Sequence, residues 1–320
     1  MKFYIILLFA VSVSFFYYSC DKSNLSTPTS GKLKISVDET IKPSIESSVS
    51  IFESLYKDAK ITSVYTNETD AIHDLLTDSS SIIIIPRKLS KEELAYFEQI
   101  KITPHTAKIV HDAVALICNR NNKDSLLSMN LIKDIFTGKI TQWKEISKDS
   151  KLSDIKLIFE NGKSSTVRFM RELVNNAPLP KNSFEVKTCD AIIDYVAKNQ
   201  NAIGIIGVNW ISDDNDSVSN KFLDKVTVME LNSKTSFNKS ADEFYKPYQA
   251  YIATKAYPLK REMYAITREP RAGLATGFAS FLASEKGQRI FLRSGLVPAT
   301  MPVRLVEVTN RDIKIEKDKK

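Results

Sequence analysis

Much of what would suggest chemistry is missing from these 320 residues. There are three histidines, His73, His105 and His111, scattered along the chain, and three cysteines, Cys20, Cys118 and Cys189. No His/Cys cluster has metal-ligand spacing, so no metal and no cofactor is expected. The chain also lacks a Ser-His-Asp arrangement, a G-x-S-x-G elbow and a G-x-x-x-x-G-K-[ST] phosphate loop, which leaves a hydrolase or nucleotide-splitting enzyme without support. A non-enzyme is expected. A basic stripe interleaved with aromatics is absent as well. The formal charge is +7, but Lys2 and the charged tail, residues 309–320, account for three of those units. The mild remainder argues against a nucleic-acid partner.

The first apolar run, residues 3–18, is a little short to span a membrane. It follows a minimal Met-Lys start and ends in Ser19-Cys20, after which comes a polar segment, DKSNLSTPTSGK. Residues 1–20 therefore read as an export signal. A small residue before a lone cysteine resembles a bacterial lipobox, although Tyr17-Tyr18 departs from its stricter form. Cys20 is the expected lipid attachment point, tethering the chain to the outer face of a bacterial membrane, in the periplasm or cell envelope. Residues 21–31 read as a tether. For Cys118 and Cys189 the reading is two buried thiols, with a disulfide as the alternative in an exported protein.

Beyond the tether the pattern is β-α-β-α-β, read from a strand at 33–37, an amphipathic helix from Ile41 to Tyr56, a strand at 61–65, a helix carrying Ile72, Leu75 and Leu76, and Ile82–Ile85. Four isoleucines in a row fit a strand buried on both faces, as in a parallel sheet. Residues 107–118 form a long extended run, followed by a helix at 130–136. The second half repeats the β/α alternation without a sequence repeat: a helix at 190–199, strands at 202–208 and 226–231, an extended stretch at 247–254, a strand through Ile266, and helices at 273–283 and 285–293. Two α/β lobes with a cleft between them are expected, with ligands at the carboxyl ends of the strands.

One stretch organises this pattern. Ile155-Lys-Leu-Ile-Phe159 reads as a buried strand, Glu160-Asn-Gly-Lys163 as a turn, and Ser164-Ser-Thr166 as the start of a helix with Val167, Met170, Leu173 and Val174 on one face. A helix start presents unpaired amides and the positive end of the helix dipole, and hydroxyls add donors. Together these suit an anion, although serines that merely cap a helix would look the same.

Several segments, in order along the chain, carry a resemblance: Asp112-Ala-Val-Ala-Leu-Ile-Cys-Asn119, Ile132-Lys-Asp-Ile-Phe-Thr-Gly-Lys-Ile-Thr-Gln-Trp143, Ser164-Ser-Thr166, Ala202-Ile-Gly-Ile-Ile-Gly207, Tyr257-Pro-Leu259, and Glu285-Lys-Gly-Gln-Arg289 with Gly295-Leu-Val-Pro298. In these the chain resembles the phosphate-binding component of bacterial phosphate ABC importers, the PstS family of periplasmic binding proteins. The resemblance implies a two-lobed type II periplasmic-binding fold, each lobe a mixed, mostly parallel sheet flanked by helices. Lobe 1 would comprise residues 32–108 and 256–308, and lobe 2 residues 109–255. It implies capture of inorganic phosphate or a similar oxyanion, handed to an ABC importer permease. The implied ligand-binding residues are Thr40, Thr69, Arg87, Ser164, Ser165, Thr166 and Arg168.

The departures are acidic. Glu160 stands where the family has a phosphate-gripping arginine, Ser165 replaces the middle glycine of its SGT loop, and Asp38, Glu39, Glu68 and Asp70 flank the expected site. Unit charges about 4 Å apart interact by several kcal/mol at intermediate dielectric, so not all five can face a bound anion. A same-fold protein that senses or scaffolds around a non-phosphate ligand is the alternative.

Overall fold

A computed structural model of the chain describes residues 26–212, 221–232 and 243–302. The expected export signal with Cys20, residues 21–25 of the tether and the charged tail lie outside the described residues. In chain order the elements are β1 (Gly31–Asp38), α1 (Lys42–Leu55), β2 (Ala59–Thr66), α2 (Glu68–Leu76), β3 (Ile82–Ile85), α3 (Lys91–Gln99), β4 (His105–Asn119), β5 (Leu126–Ser128), α4 (Met129–Phe136), α5 (Trp143–Ile146), β6 (Lys156–Phe159), α6 (Ser165–Leu173), β7 (Ser183–Glu185), α7 (Cys189–Lys198), β8 (Ala202–Gly207), β9 (Val226–Val228), β10 (Glu230–Asn232), α8 (Gln249–Ala253), β11 (Lys260–Thr267), α9 (Leu274–Ala283), α10 (Glu285–Arg293) and β12 (Val297–Pro298). Short 3-10 turns, Glu39–Ile41 and Val208–Trp210, follow β1 and β8. The stretch at 247–254, expected to be extended, contains helix α8 instead. Its apolar residues are too few to set a period, and Pro247 precedes the helix rather than breaking it.

The strands run in the order β2-β1-β3-β11-β4-β8-β6-β7. On one side β2, β1 and β3 are parallel, and β11 runs antiparallel to both β3 and β4. On the other side β7, β6 and β8 are parallel and β8 is antiparallel to β4. Strand β4 serves both halves: His105 to Ala113 pairs with β11, and Val114 to Cys118 pairs with β8. At the change of partner Val114 is held twice, its N–H donating to Leu259 O at 2.8 Å and its carbonyl accepting from Tyr257 Oη at 2.9 Å. Ile82–Ile85 is completely buried, and helices α1 and α9 meet through Phe52, Phe278 and Phe281. Cys118 and Cys189 are free and buried. Among the described residues no helix is long and apolar enough to cross a membrane.

The end of the stretch read as a tether is packed structure. Ser26 Oγ accepts the Leu274 N–H at 2.9 Å, capping α9, whose own N-cap is Gly273. Pro28 lies across Gly277 so closely that a Cβ there would stand 1.9 Å from the Pro28 carbonyl oxygen. Gly277→Ala is expected to lower stability by about 1–3 kcal/mol, as overpacking against backbone does. The midpoint of urea unfolding measures this, and an unchanged midpoint would show that Pro28 moves aside freely.

Candidate functional site

The carboxyl ends of β1, β3, β6 and β8 converge where the two halves of the sheet face each other, and each is followed by polar residues. After β6 come Glu160 and a short turn, then Ser164, which caps α6: its Oγ accepts the Val167 N–H at 3.4 Å and pairs with Thr166 Oγ1 at 3.0 Å. The opening amides of α6 have no backbone acceptor within the helix, and Ser164 Oγ takes that of Val167. Ser164, Ser165 and Thr166 are all buried, as is Thr40 from the other half. Thr40 sits in the turn after β1, where Asp38 Oδ1 accepts its backbone N–H at 3.1 Å and also its hydroxyl. The end of β8 comes right up to it: a Cβ on Gly207 would meet Thr40 Cβ at 2.6 Å. The same approach places the Trp210 indole on the Glu39 carbonyl (3.2 Å) and the Asn209 side chain on the Ser44 amide (3.1 Å).

Between the hydroxyls lies a residue that the sequence reading did not single out. Arg261, on β11, donates from Nη2 to Thr40 Oγ1 (2.6 Å), from Nη1 to Ser165 Oγ (2.9 Å) and from Nε to Asp112 Oδ2 (2.8 Å). This leaves two of a guanidinium's five N–H donors unused. Arg261 and Asp112 are both buried, and Asp112 is a strand residue of β4 on the same side of the hinge. Burial pushes the Asp112 carboxyl above its usual range, against the opposing pull of Arg261. The sequence signal was confined to Asp112, directly before the apolar run Ala113–Cys118, since a charge buried there needs a partner; Arg261, between Lys260 and Glu262, gave none.

The acids crowd the same place. Burial pushes Glu160 up to about 8, and the nearby Asp38 and Glu39 push it the same way. Glu39 is raised chiefly by burial, against the pull of Lys42 and with a further push from Asp38. The Cys189 thiol, at the start of α7, is raised by burial and then by Glu160, Glu39 and Asp38. Near neutral pH Glu160 is thus mostly a neutral carboxylic acid, able to donate a hydrogen bond as well as accept one. This resolves much of the charge conflict that five carboxylates posed.

The remaining expected site residues stand elsewhere. Arg87 forks onto Glu93 at 2.8 and 2.7 Å and donates from Nε to Glu68 at 2.9 Å. Arg168 donates to Glu68 (2.7 Å), Glu172 (2.8 Å) and the Pro86 carbonyl (3.4 Å). Thr69 Oγ1 donates to the Lys163 carbonyl at 3.4 Å, and Lys163 Nζ reaches Asp70 at the same distance. Thr40 and Ser165 therefore meet on Arg261, with Ser164 and Thr166 paired beside Ser165, whereas Thr69 and Arg168 bond across to the other half and Arg87 bonds within its own. A separate cavity of about 730 Å³, lined by Val208, Ile211, Tyr248, Gln249 and Leu292 among others, includes none of these residues. Among the described residues no group of His, Cys, Asp or Glu could hold a metal ion.

Comparison with known proteins agrees with this architecture. Residues 22–286 match a family model described as a PBP superfamily domain. The chain is 24% identical over 262 residues to the phosphate-binding protein PstS of Staphylococcus epidermidis, covering 81% of this chain and 76% of that one. Among solved structures it is similar to a phosphate ABC transporter substrate-binding protein with bound phosphate from Clostridium perfringens, with TM-score 0.70, 25% identity, and coverage of 84% of this chain and 99% of that one. It also shares the fold of an ABC-type phosphate transport receptor from Vibrio cholerae, with TM-score 0.62 at 17% identity and coverage of 84% and 100%.

Proposed function

We propose, for a chain that belongs to the PBP superfamily, that the cleft captures inorganic phosphate or a similar tetrahedral oxyanion. The observation that carries this is Arg261, a buried cation held against Ser165 at the amide end of α6. The guest would sit between the two lobes. It would accept hydrogen bonds from the first amides of α6, from the Ser165 hydroxyl, whose oxygen already accepts from Arg261, and from the unspent guanidinium N–H groups. Neutral Glu160 would donate to one oxyanion oxygen, and an Asp38 carboxyl oxygen would accept from a protonated one. A buried seat needs the lobes to part for entry and close for retention, as hinged binding proteins do.

The protein is a binding protein and not an enzyme; the relatives compared above are named for binding and transport. Delivery to the permease of an ABC importer, export, and a lipid anchor at Cys20 extend the proposal, supported by the names of these relatives and by the leader sequence. Titration calorimetry with phosphate tests the core of it. Ser165→Ala is expected to weaken phosphate binding by about 1–3 kcal/mol, because a desolvated charge loses a hydrogen bond. Equal affinity for the variant and the parent would remove Ser165 from the seat. A second reading, the binding or sensing of a non-phosphate ligand, is favoured by Asp38, Glu39 and Glu160 around one point. Silence toward phosphate, arsenate and sulfate alike would select it.

A further inference from the structure

We propose that Glu68 is a latch that closes the two lobes on each other and positions α6, and that Arg87 and Arg168 serve this latch rather than the guest. Glu68 is the first residue of α2 and is 3% exposed. Its Oε1 accepts from Arg87 Nε at 2.9 Å on its own side of the cleft and from Arg168 Nε at 2.7 Å on the other. Both guanidiniums are held by acids and carbonyls, with one N–H donor of Arg87 and two of Arg168 left over. Arg87 spends its terminal nitrogens on Glu93 and the Lys88 carbonyl, and Arg168 spends its own on Glu172 and the Pro86 carbonyl. Arg168 lies in the first turn of α6, the turn whose amides form the proposed seat. Fixing Arg168 to Glu68 therefore fixes the direction in which those amides point. The Thr69–Lys163 and Lys163–Asp70 contacts join the same two helix starts, so the latch is not a single bond.

The arrangement is a toggle, not a lock. Closing adds the charge-assisted Arg168–Glu68 bond in partly desolvated surroundings, where it is stronger than in water. Closing also buries Glu68 Oε2 with no partner, which opposes it. On opening, Glu68 keeps Arg87 and regains water at Oε2, while Arg168 keeps Glu172. The two states are thereby held close in free energy, as a receptor that must release its guest requires.

This latch rests on lobes that open and close, as in the function proposed above, but not on the chemistry of the guest. The test is small-angle scattering of the full chain without ligand at low salt, with release of phosphate from the loaded protein followed in parallel. Arg168→Met removes the lobe 2 half and leaves the Arg87–Glu68–Glu93 set intact. Glu68→Gln removes the charge at the centre, and Lys139→Ala, in an exposed pair with Asp134, is the surface control. Both latch variants are expected to be more open than the parent and the control. Phosphate release is expected to speed up by about tenfold, the order of one charge-assisted hydrogen bond. The double variant is expected to add little to either single one, as for residues in one network. Scattering by both single variants indistinguishable from the parent would overturn the latch. If no protein of the set binds phosphate, scattering alone decides, and it is the proposed ligand that falls.

Discussion

Arg261→Met is expected to abolish tight oxyanion binding and to destabilise the fold by about 3–5 kcal/mol, the usual consequence of leaving half of a buried ion pair behind. Asp112 is fully buried, its Oδ1 already lacks a partner, and Arg261 is the neighbour that opposes the upward push of burial on its carboxyl. Without the guanidinium that carboxyl must stay protonated or unfold the strand pair around it. Thr40 and Ser165 would also lose the cation that bridges them across the cleft. Urea unfolding measures the first effect and calorimetry the second. The paired variant Asp112→Leu/Arg261→Met separates them: an apolar pair of similar bulk recovers much of the stability, yet binding stays lost because no cation faces the guest. Recovery of both together, or a single variant as stable as the parent, would remove Arg261 from the seat.

Glu160→Gln is expected to be nearly neutral at acidic pH and strongly stabilising at alkaline pH. The sign follows from the two states. The folded carboxyl titrates at about 8, whereas the ordinary glutamate value is 4.5. Between these values the folded chain holds a proton that the unfolded chain has released, so stability falls as pH rises through this window. Below the window both states are protonated and nothing is lost. Above it the full penalty applies, on the order of 3–5 kcal/mol for a shift of this size. Glutamine keeps the shape and the donor of the neutral acid and never ionises. Melting curves in phosphate-free buffer across the window should converge at their acidic end and diverge at their alkaline end. Parallel curves would show that Glu160 is not the group that titrates.

The alternation of strands and helices could be read because burial on both faces leaves a distinctive run, as at Ile82–Ile85. The Ser164 cap was legible for the same reason: it directly follows a buried strand. Arg261 was not, because its meaning depends on Asp112, 149 residues away, and on two hydroxyls in different parts of the chain. For Arg87 and Arg168 the sequence shows the charge and not its partner. As cations near an expected anion they suggested a clamp, and only the fold shows Glu68 standing between them. Charge type can be read from a sequence, but which opposite charge it meets is set by tertiary contacts. The acids around Glu160 posed a conflict in sequence that burial removes by keeping a proton on one of them.

The shared strand β4 decides how stiffly this molecule can move. A pivot made of loop would let the lobes wander through many orientations. Here the pivot is Val114, inside a hydrogen-bonded ladder and pinned at both its amide and its carbonyl by Leu259 and Tyr257. In the binding cycle proposed above, such a joint would act as a leaf spring, flexing in one plane and resisting torsion. Thr40 and Ser165, carried on opposite sides of it, would then meet in the same alignment at each closure, without a fresh search for every guest.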